Sequence, residues 1–256
     1  VTWARGSKTM ILFVHGVPDT PFLWGPLIKA LGLKPDQWVA PALPGFGSPV
    51  PPGFTRTKDA YADWLIAQME AVGQPVNIVG HDWGALLTLR ACSLRPDLVE
   101  SWCVTNAVID SKYSGHRMAR MWATPLLGEL VMTGMRNETK LQAALVESGM
   151  PPAMAAHEAP LVDKTMRQSI LKLYRSARGL RFSGDWEDDL ADLPAKGQLY
   201  WGEDDPFVGL PVAQRFAKRW NVPLHVEHDA GHWACAEHPG SFALVLKEFW
   251  ATKRMM

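Results

Sequence analysis

The sequence predicts an α/β fold with a mostly parallel central sheet, helices on both faces and an inserted helical cap. Short apolar runs alternate with amphipathic segments in the first half of the chain, the pattern of a parallel sheet. From about residue 110 to 192 the chain is helical and Met-rich, with no strand-like run, and the alternation then resumes. We therefore expect a core formed by 1–109 and 193–256, and a cap insertion at 110–192.

Each predicted element follows from its hydrophobic pattern. Residues 10–14 and 38–43 are apolar strands that end in turns containing glycine and proline. Residues 59–72 fit an amphipathic helix, because apolar side chains recur at spacings of three and four. The other predicted strands are 76–79, 101–107, 198–201 and 224–227, and the other predicted core helices are 85–94, 211–220 and 241–253.

The composition limits the possible functions. The 256 residues, 47% hydrophobic and 20% charged, suit one sizeable domain. Lys+Arg and Asp+Glu both number 26, and no basic run predicts a nucleic-acid or anionic-membrane surface. Without a membrane-length apolar stretch or a signal peptide, we expect a cytoplasmic protein, either monomer or homodimer. The strand-like opening at 1–4 suggests that a further segment precedes it.

The cysteines predict neither disulfides nor a metal site. Cys92, Cys103 and Cys235 are too few and too widely spaced for either. Cys92 and Cys103 lie in apolar contexts and are expected in the core. We expect no metal and no cofactor.

The most informative residue is an aspartate between two glycines. Gly80, Asp82 and Gly84 form the pattern Gly-x-nucleophile-x-Gly, between an apolar strand and a helix. The glycines remove side chains that would clash in such a sharp turn. A free aspartate has a pKa of about 3.9, so its carboxylate can attack a saturated carbon without a base. The product is an alkyl ester that water then cleaves. The competing interpretation of Asp82 is an ordinary helix N-cap.

Two further turns carry residues that could act together with Asp82. Asp205 and His232 each follow a predicted strand, giving the chain order nucleophile, acid, histidine. The sequence thus resembles the α/β-hydrolases over essentially its whole length, which implies the α/β-hydrolase fold. The segment 80–84, Gly-His-Asp-Trp-Gly, is similar to the branch that holds epoxide hydrolases and haloalkane dehalogenases. Related enzymes read G-x-x-D at the acid, which favours Asp205 over Asp204. Some relatives place the acid near Asn106, but an asparagine cannot supply the charge.

The chemistry assigns a role to each group. His232 would take a proton from the water that attacks the ester on Asp82, and Asp205 would orient the His232 ring. The oxyanion of the tetrahedral intermediate would be bound by the backbone N–H groups of Val17 and Trp83.

The leaving group decides the substrate class, and the resemblance points first to an epoxide. Epoxide hydrolases donate a proton to the opening ring from cap tyrosines. Tyr174 matches such a segment, whereas Tyr113 matches the second tyrosine poorly. Either could instead be a core residue. Residues 15–18, His-Gly-Val-Pro, match the H-G-x-P motif of epoxide hydrolases. We expect a small hydrophobic substrate, with water as the second reactant.

Two alternatives remain open. A haloalkane dehalogenase would bind halide through indole N–H groups, with Trp83 as one donor and Trp122 or Trp186 of the cap as the other. Valine at position 17 disfavours this, because many dehalogenases carry asparagine there. The second alternative is a catalytically silent ligand-binding protein on the same fold.

Overall fold

A single parallel sheet forms the centre of the structure, a computed structural model that describes residues 10–182 and 184–252. Its strands in this part of the chain are β1 (Ile11–Val14), β2 (Trp38–Val39), β3 (Val76–His81), β4 (Val99–Thr105), β5 (Gly197–Gly202) and β6 (Leu224–Glu227). They are ordered β2-β1-β3-β4-β5-β6, and every neighbouring pair is parallel. The strand-like opening at 1–4 lies outside the described residues.

The helices fall between the strands and in one long connection. The helices before β4 are α1 (Gly25–Leu31), α2 (Lys58–Val72) and α3 (Trp83–Leu94). Between β4 and β5 follow α4 (Arg117–Ala123), α5 (Leu127–Gly134), α6 (Glu138–Glu147), α7 (Pro152–Glu158), α8 (Lys164–Ser176) and α9 (Asp185–Asp188). The last are α10 (Leu210–Trp220), α11 (Ala234–Glu237) and α12 (Pro239–Ala251). Helix α1 packs against α12, and α2 packs against α3. The predicted fold class is confirmed.

The burial of the strands explains why they could be recognised. Every residue of β1, β3 and β5 is buried. A strand of a parallel sheet is covered on both faces and therefore appears in the sequence as a continuous apolar run. The prediction for residues 38–43 was too long, since β2 ends at Val39. This edge strand is followed closely by Pro41, which has no N–H to donate to a neighbouring strand.

The described part of the connection between β4 and β5 consists of helices joined by loops and contains no strand. We call residues 110–192 the cap segment; its division from the core stays a prediction. Helix α8 shows how the segment packs, because Met166, Ile170 and Tyr174 on one of its faces are all buried. All three cysteines of the chain are buried and unpaired. Within 10–182 and 184–252, no helix combines the length and apolar character needed to cross a membrane.

Candidate active site

Asp82 occupies a strained turn at the end of β3. Its φ of 50° and ψ of −123° lie in a region that residues other than glycine rarely adopt. Asp82 stands at the N-cap position of α3, but its side chain makes no capping hydrogen bond, so capping does not account for the aspartate there. The flanking glycines are needed for close packing. A Cβ on Gly80 would overlap the Gly84 carbonyl oxygen, and one on Gly84 would overlap that of Val14.

The predicted acid and histidine meet this aspartate. His232 Nδ1 lies 2.8 Å from Asp205 Oδ2, and Nε2 lies 3.5 Å from Asp82 Oδ2. All three residues are buried. The other oxygen of Asp205 accepts the N–H groups of Phe207 (2.8 Å) and Val208 (2.9 Å). The arrangement leaves Oδ2 of Asp205 to orient the imidazole. Asp204, the alternative acid, is exposed.

Asn106 supports the acid instead of replacing it. Its Nδ2 donates to Asp205 Oδ2 at 2.9 Å and to the Gly231 carbonyl at 3.2 Å. The first contact reaches the same oxygen that holds His232. The second contact ties Asn106 to the loop that carries His232. The asparagine at the end of β4 thus fixes both the acid and the histidine loop.

The predicted oxyanion donors lie beside the carboxylate of Asp82. The Val17 N–H donates to Oδ1 at 2.8 Å. The Trp83 N–H also stabilises the Asp82 anion. Gly16 allows this approach, because a Cβ there would overlap Asp82 Cβ and lie 2.6 Å from Oδ1. The buried His15 holds the loop in place, since its Nε2 accepts the Leu43 N–H at 3.0 Å.

The charges of the site are strongly coupled. Burial raises the pKa of Asp82, but the hydrogen bond and charge of His232, with the charge of His81 and the Trp83 N–H, hold it below its usual value. Burial lowers the pKa of His232, but Asp205 and then Asp82 together raise it to about 10. The resting site is therefore a carboxylate beside an imidazolium, the state in which Asp82 can attack.

Three aromatic side chains pack together near Asp82: Tyr174 and Trp122 from the cap segment, and Trp83 from the start of α3. Tyr174 is 1% exposed, and its ring centroid lies 5.4 Å from that of Trp83 and 4.9 Å from that of Trp122. Burial, then the negative charge of Asp82, raises the pKa of Tyr174 well above its usual value. The indole N–H groups of Trp83 and Trp122 are buried and make no hydrogen bond of normal geometry among the described residues, although the Trp83 indole is close enough to the Tyr174 hydroxyl to oppose part of the rise in its pKa.

Two other candidates are engaged elsewhere. The Tyr113 hydroxyl donates its only proton to the Phe207 carbonyl at 2.8 Å, so this contact does not favour the predicted donation to a substrate. The Trp186 N–H donates to Asp59 Oδ1 at 2.7 Å, so Trp186 is not the second halide donor.

Several polar residues near the site escaped the sequence analysis. His81 Nε2 donates to the His232 carbonyl at 2.9 Å, and its Nδ1 lies 3.2 Å from Asp19 Oδ2. Trp233 donates to the other oxygen of Asp19 at 3.0 Å. Glu158 of the cap segment and His116 at the start of α4 also lie nearby. The available signal was a polar residue inside an apolar stretch, which does not identify its partner.

Comparisons with known proteins match the chain to a family and to two named groups of enzymes. A profile of the alpha/beta hydrolase family matches residues 11–243. Epoxide hydrolase 2 of Siraitia grosvenorii is 33% identical over 100 residues, 38% of this chain and 31% of that protein. A haloalkane dehalogenase of Mycolicibacterium paratuberculosis is 26% identical over 168 residues, 60% of this chain and 52% of that protein.

The solved structures support the fold. The haloalkane dehalogenase DbeA of Bradyrhizobium elkani superposes with a TM-score of 0.74 at 22% identity, covering 97% of this chain and 93% of that one. The segment that matches the Siraitia grosvenorii epoxide hydrolase is under a third of the length of that protein. The predicted resemblance to epoxide hydrolases and haloalkane dehalogenases and the predicted class of enzyme, a hydrolase, are confirmed. The chain belongs to the alpha/beta hydrolase family.

Proposed function

We propose that the protein hydrolyses an epoxide to a vicinal diol through a covalent ester on Asp82. The observation that carries this proposal is the buried Tyr174, whose hydroxyl experiences the negative charge of Asp82. A protonated hydroxyl beside a nucleophilic carboxylate is what ring opening requires, because the leaving oxygen stays attached and needs a proton. The similarity to epoxide hydrolases over 100 residues supports the same choice.

In the first step, Asp82 Oδ2 attacks a ring carbon of the epoxide. The carbon–oxygen bond of the ring breaks, its electron pair passes to the epoxide oxygen, and that oxygen takes the Tyr174 proton. Asp82 Oδ1, already bound by the Val17 N–H, becomes the carbonyl oxygen of the ester. The position of the carboxylate beneath the cap segment sets up this attack without a separate base.

In the second step, neutral His232 takes a proton from a water that attacks the ester carbonyl. The carbonyl electron pair moves to Oδ1, where the N–H groups of Val17 and Trp83 stabilise it. When the pair returns, the bond between the acyl carbon and the diol oxygen breaks, and that oxygen leaves with the proton from His232. The Asp82 carboxylic acid then passes its proton to His232, which restores the resting carboxylate and imidazolium. Asp205 holds the ring orientation throughout, through its 2.8 Å contact with Nδ1.

Intact-mass analysis of the His232→Gln variant tests the proposal. Removing the base should leave the first step intact and trap the ester. Incubation with a small aryl epoxide should add the whole mass of the epoxide, and peptide mapping should place it on Asp82. The double variant with Asp82→Asn is the control and should gain no mass. An enzyme that still turns over normally without His232 would contradict the proposal.

A haloalkane dehalogenase is the second candidate, favoured by the two buried indole N–H groups, of which that of Trp122 has no partner among the described residues. Trp83 and Trp122 flank Tyr174, and such donors can bind a departing halide. Incubating the His232→Gln variant with a bromoalkane would then add only the alkyl group, without bromine. An adduct from neither reagent would favour a catalytically silent binding protein.

A further inference from the structure

His116 lies beside Tyr174 in the aromatic wall of the site. Its ring centroid is 6.4 Å from that of Tyr174 and 6.4 Å from that of Trp122. It is also 5.1 Å from the ring of Phe207, which in turn lies 5.0 Å from the ring of His232. The side chain is only partly buried. His116 thus belongs to the aromatic cluster that includes Tyr174 and extends through Phe207 to His232.

The hydrogen bonds of His116 assign its tautomer. As the N-cap of α4, the ring accepts the Ala119 N–H at Nδ1, over 3.2 Å. A nitrogen that accepts carries no proton, so the proton of the neutral ring is on Nε2. Burial lowers the pKa of His116 to about 4, so the ring is neutral at pH 7. Its Nε2–H has no hydrogen-bond partner among the described residues and is available to a ligand.

Ring opening has a place for such a donor. The oxygen of an opening epoxide gains negative charge and has lone pairs for two hydrogen bonds. Tyr174 can supply one, but the hydroxyl of Tyr113 is bound to the Phe207 carbonyl. We infer that the Nε2–H of His116 is the second donor to the epoxide oxygen, an inference that rests on the proposed function. His116 keeps its proton and stabilises the developing charge, while Tyr174 transfers its proton.

Alkylation rates in the His232→Gln background test this role. The His116→Phe variant keeps an aromatic ring but loses both the donor and the N-cap. The His116→Asn variant keeps an N-cap acceptor, because asparagine is among the best capping residues, and withdraws the donor from its position. Both should form the aryl-epoxide adduct about a hundredfold more slowly, the usual effect of losing one donor to a developing oxyanion.

The matched control is Asn137→Ala. Asn137 caps α6 in the same cap segment by accepting the Lys140 N–H at 2.9 Å, and its loss should leave the alkylation rate unchanged. A nitrogen-15 NMR spectrum of the imidazoles gives a readout independent of activity. The spectrum should show that at pH 7 the His116 ring is protonated on Nε2 and unprotonated on Nδ1.

The outcomes separate the inference from the proposed function. If the His232→Gln parent forms no epoxide adduct, the proposed function fails and the inference with it. If the parent reacts and both His116 variants match its rate, the inference alone is overturned. A slow His116→Phe variant beside a normal His116→Asn variant would assign the effect to the helix cap and overturn it too. An equal loss with epoxide and bromoalkane would likewise show general positioning, not donation to the epoxide oxygen.

Discussion

Glu158 connects the cap segment to the loop after β1, and its burial predicts a pH-dependent stability. The side chain is fully buried, and its Oε1 accepts both the N–H (3.2 Å) and the hydroxyl (2.9 Å) of Thr20. Its Oε2 has no partner among the described residues. Burial, then the negative charge of Asp19, raises the pKa of Glu158 from 4.5 to about 8. The carboxyl group is therefore protonated at pH 7.

The sign and size of the effect follow from this shift. The folded protein holds the proton more tightly than the unfolded chain, so the stabilisation is complete below pH 4.5 and is lost as the pH rises through about 8. At roughly 1.4 kcal/mol per pKa unit, the ceiling is about 5 kcal/mol. Water that reaches the ionised carboxylate lowers the cost of its burial. We therefore expect the free energy of unfolding to fall by ~2–5 kcal/mol by pH 9. His157 Nδ1, 3.8 Å from Oε1, also faces the carboxyl group but is partly exposed.

The Glu158→Gln variant removes the titration and keeps an acceptor for Thr20. Its free energy of unfolding in urea should be close to that of the wild type at pH 5 and larger by ~2–5 kcal/mol at pH 9. Titrations shared by the two proteins cancel in the difference. The control is Glu147→Gln, an exposed position of α6, where the difference should not change with pH. A Glu158→Gln difference that stays constant from pH 5 to 9 would refute the reasoning.

The remaining predictions concern the reaction itself. Gly16→Ala should slow adduct formation about a hundredfold or more, because its methyl group displaces Asp82, while Gly25→Ala, with open space around its Cβ, should be harmless. Asn106→Ala, with His232 intact, should slow hydrolysis of the ester intermediate about tenfold in rapid-quench experiments, the cost of one hydrogen bond to a charged group. Tyr174→Phe should slow alkylation by an epoxide about 10²–10⁴-fold and leave alkylation by a bromoalkane unchanged. Equal losses with both reagents would instead indicate a structural role for Tyr174.

The fold was predictable because its signals are local. The strands of a parallel sheet are buried on both faces, and each ends at a turn whose composition is visible in the sequence. The sharp turn at Asp82 could be located for the same reason, since the two flanking glycines mark the places where the backbone packs closely. The prediction for β2 failed where an apolar run continued past the point at which Pro41 prevents strand pairing.

The rest of the site depends on contacts between distant parts of the chain. Thr20 and Glu158 are 138 positions apart, and Asn106 and Asp205 are 99 apart. No local pattern distinguishes a buried glutamate in a helix from one that faces water. The sequence also does not show which nitrogen of His116 carries the proton. That depends on the hydrogen bond from the Ala119 N–H at the start of α4, and the hydrophobic pattern does not show where this helix begins. Buried polar pairs can be identified only in the structure. The group whose burial is unfavourable and the group that compensates for it by hydrogen bonding lie on different helices, strands or loops.

In the proposed mechanism, the raised pKa of His232 is compatible with its role as a base. Burial lowers that pKa, but Asp205 and Asp82 together raise it to about 10, so the resting ring is protonated. Alkylation converts Asp82 into a neutral ester, which removes one of the two charges and lowers the pKa of His232. Burial keeps the pKa of Tyr174 well above its usual value, so the tyrosinate left by ring opening is the stronger base. In this mechanism the imidazolium proton therefore passes to the Tyr174 tyrosinate through solvent. His232 becomes neutral only after the ester has formed, when water must be activated.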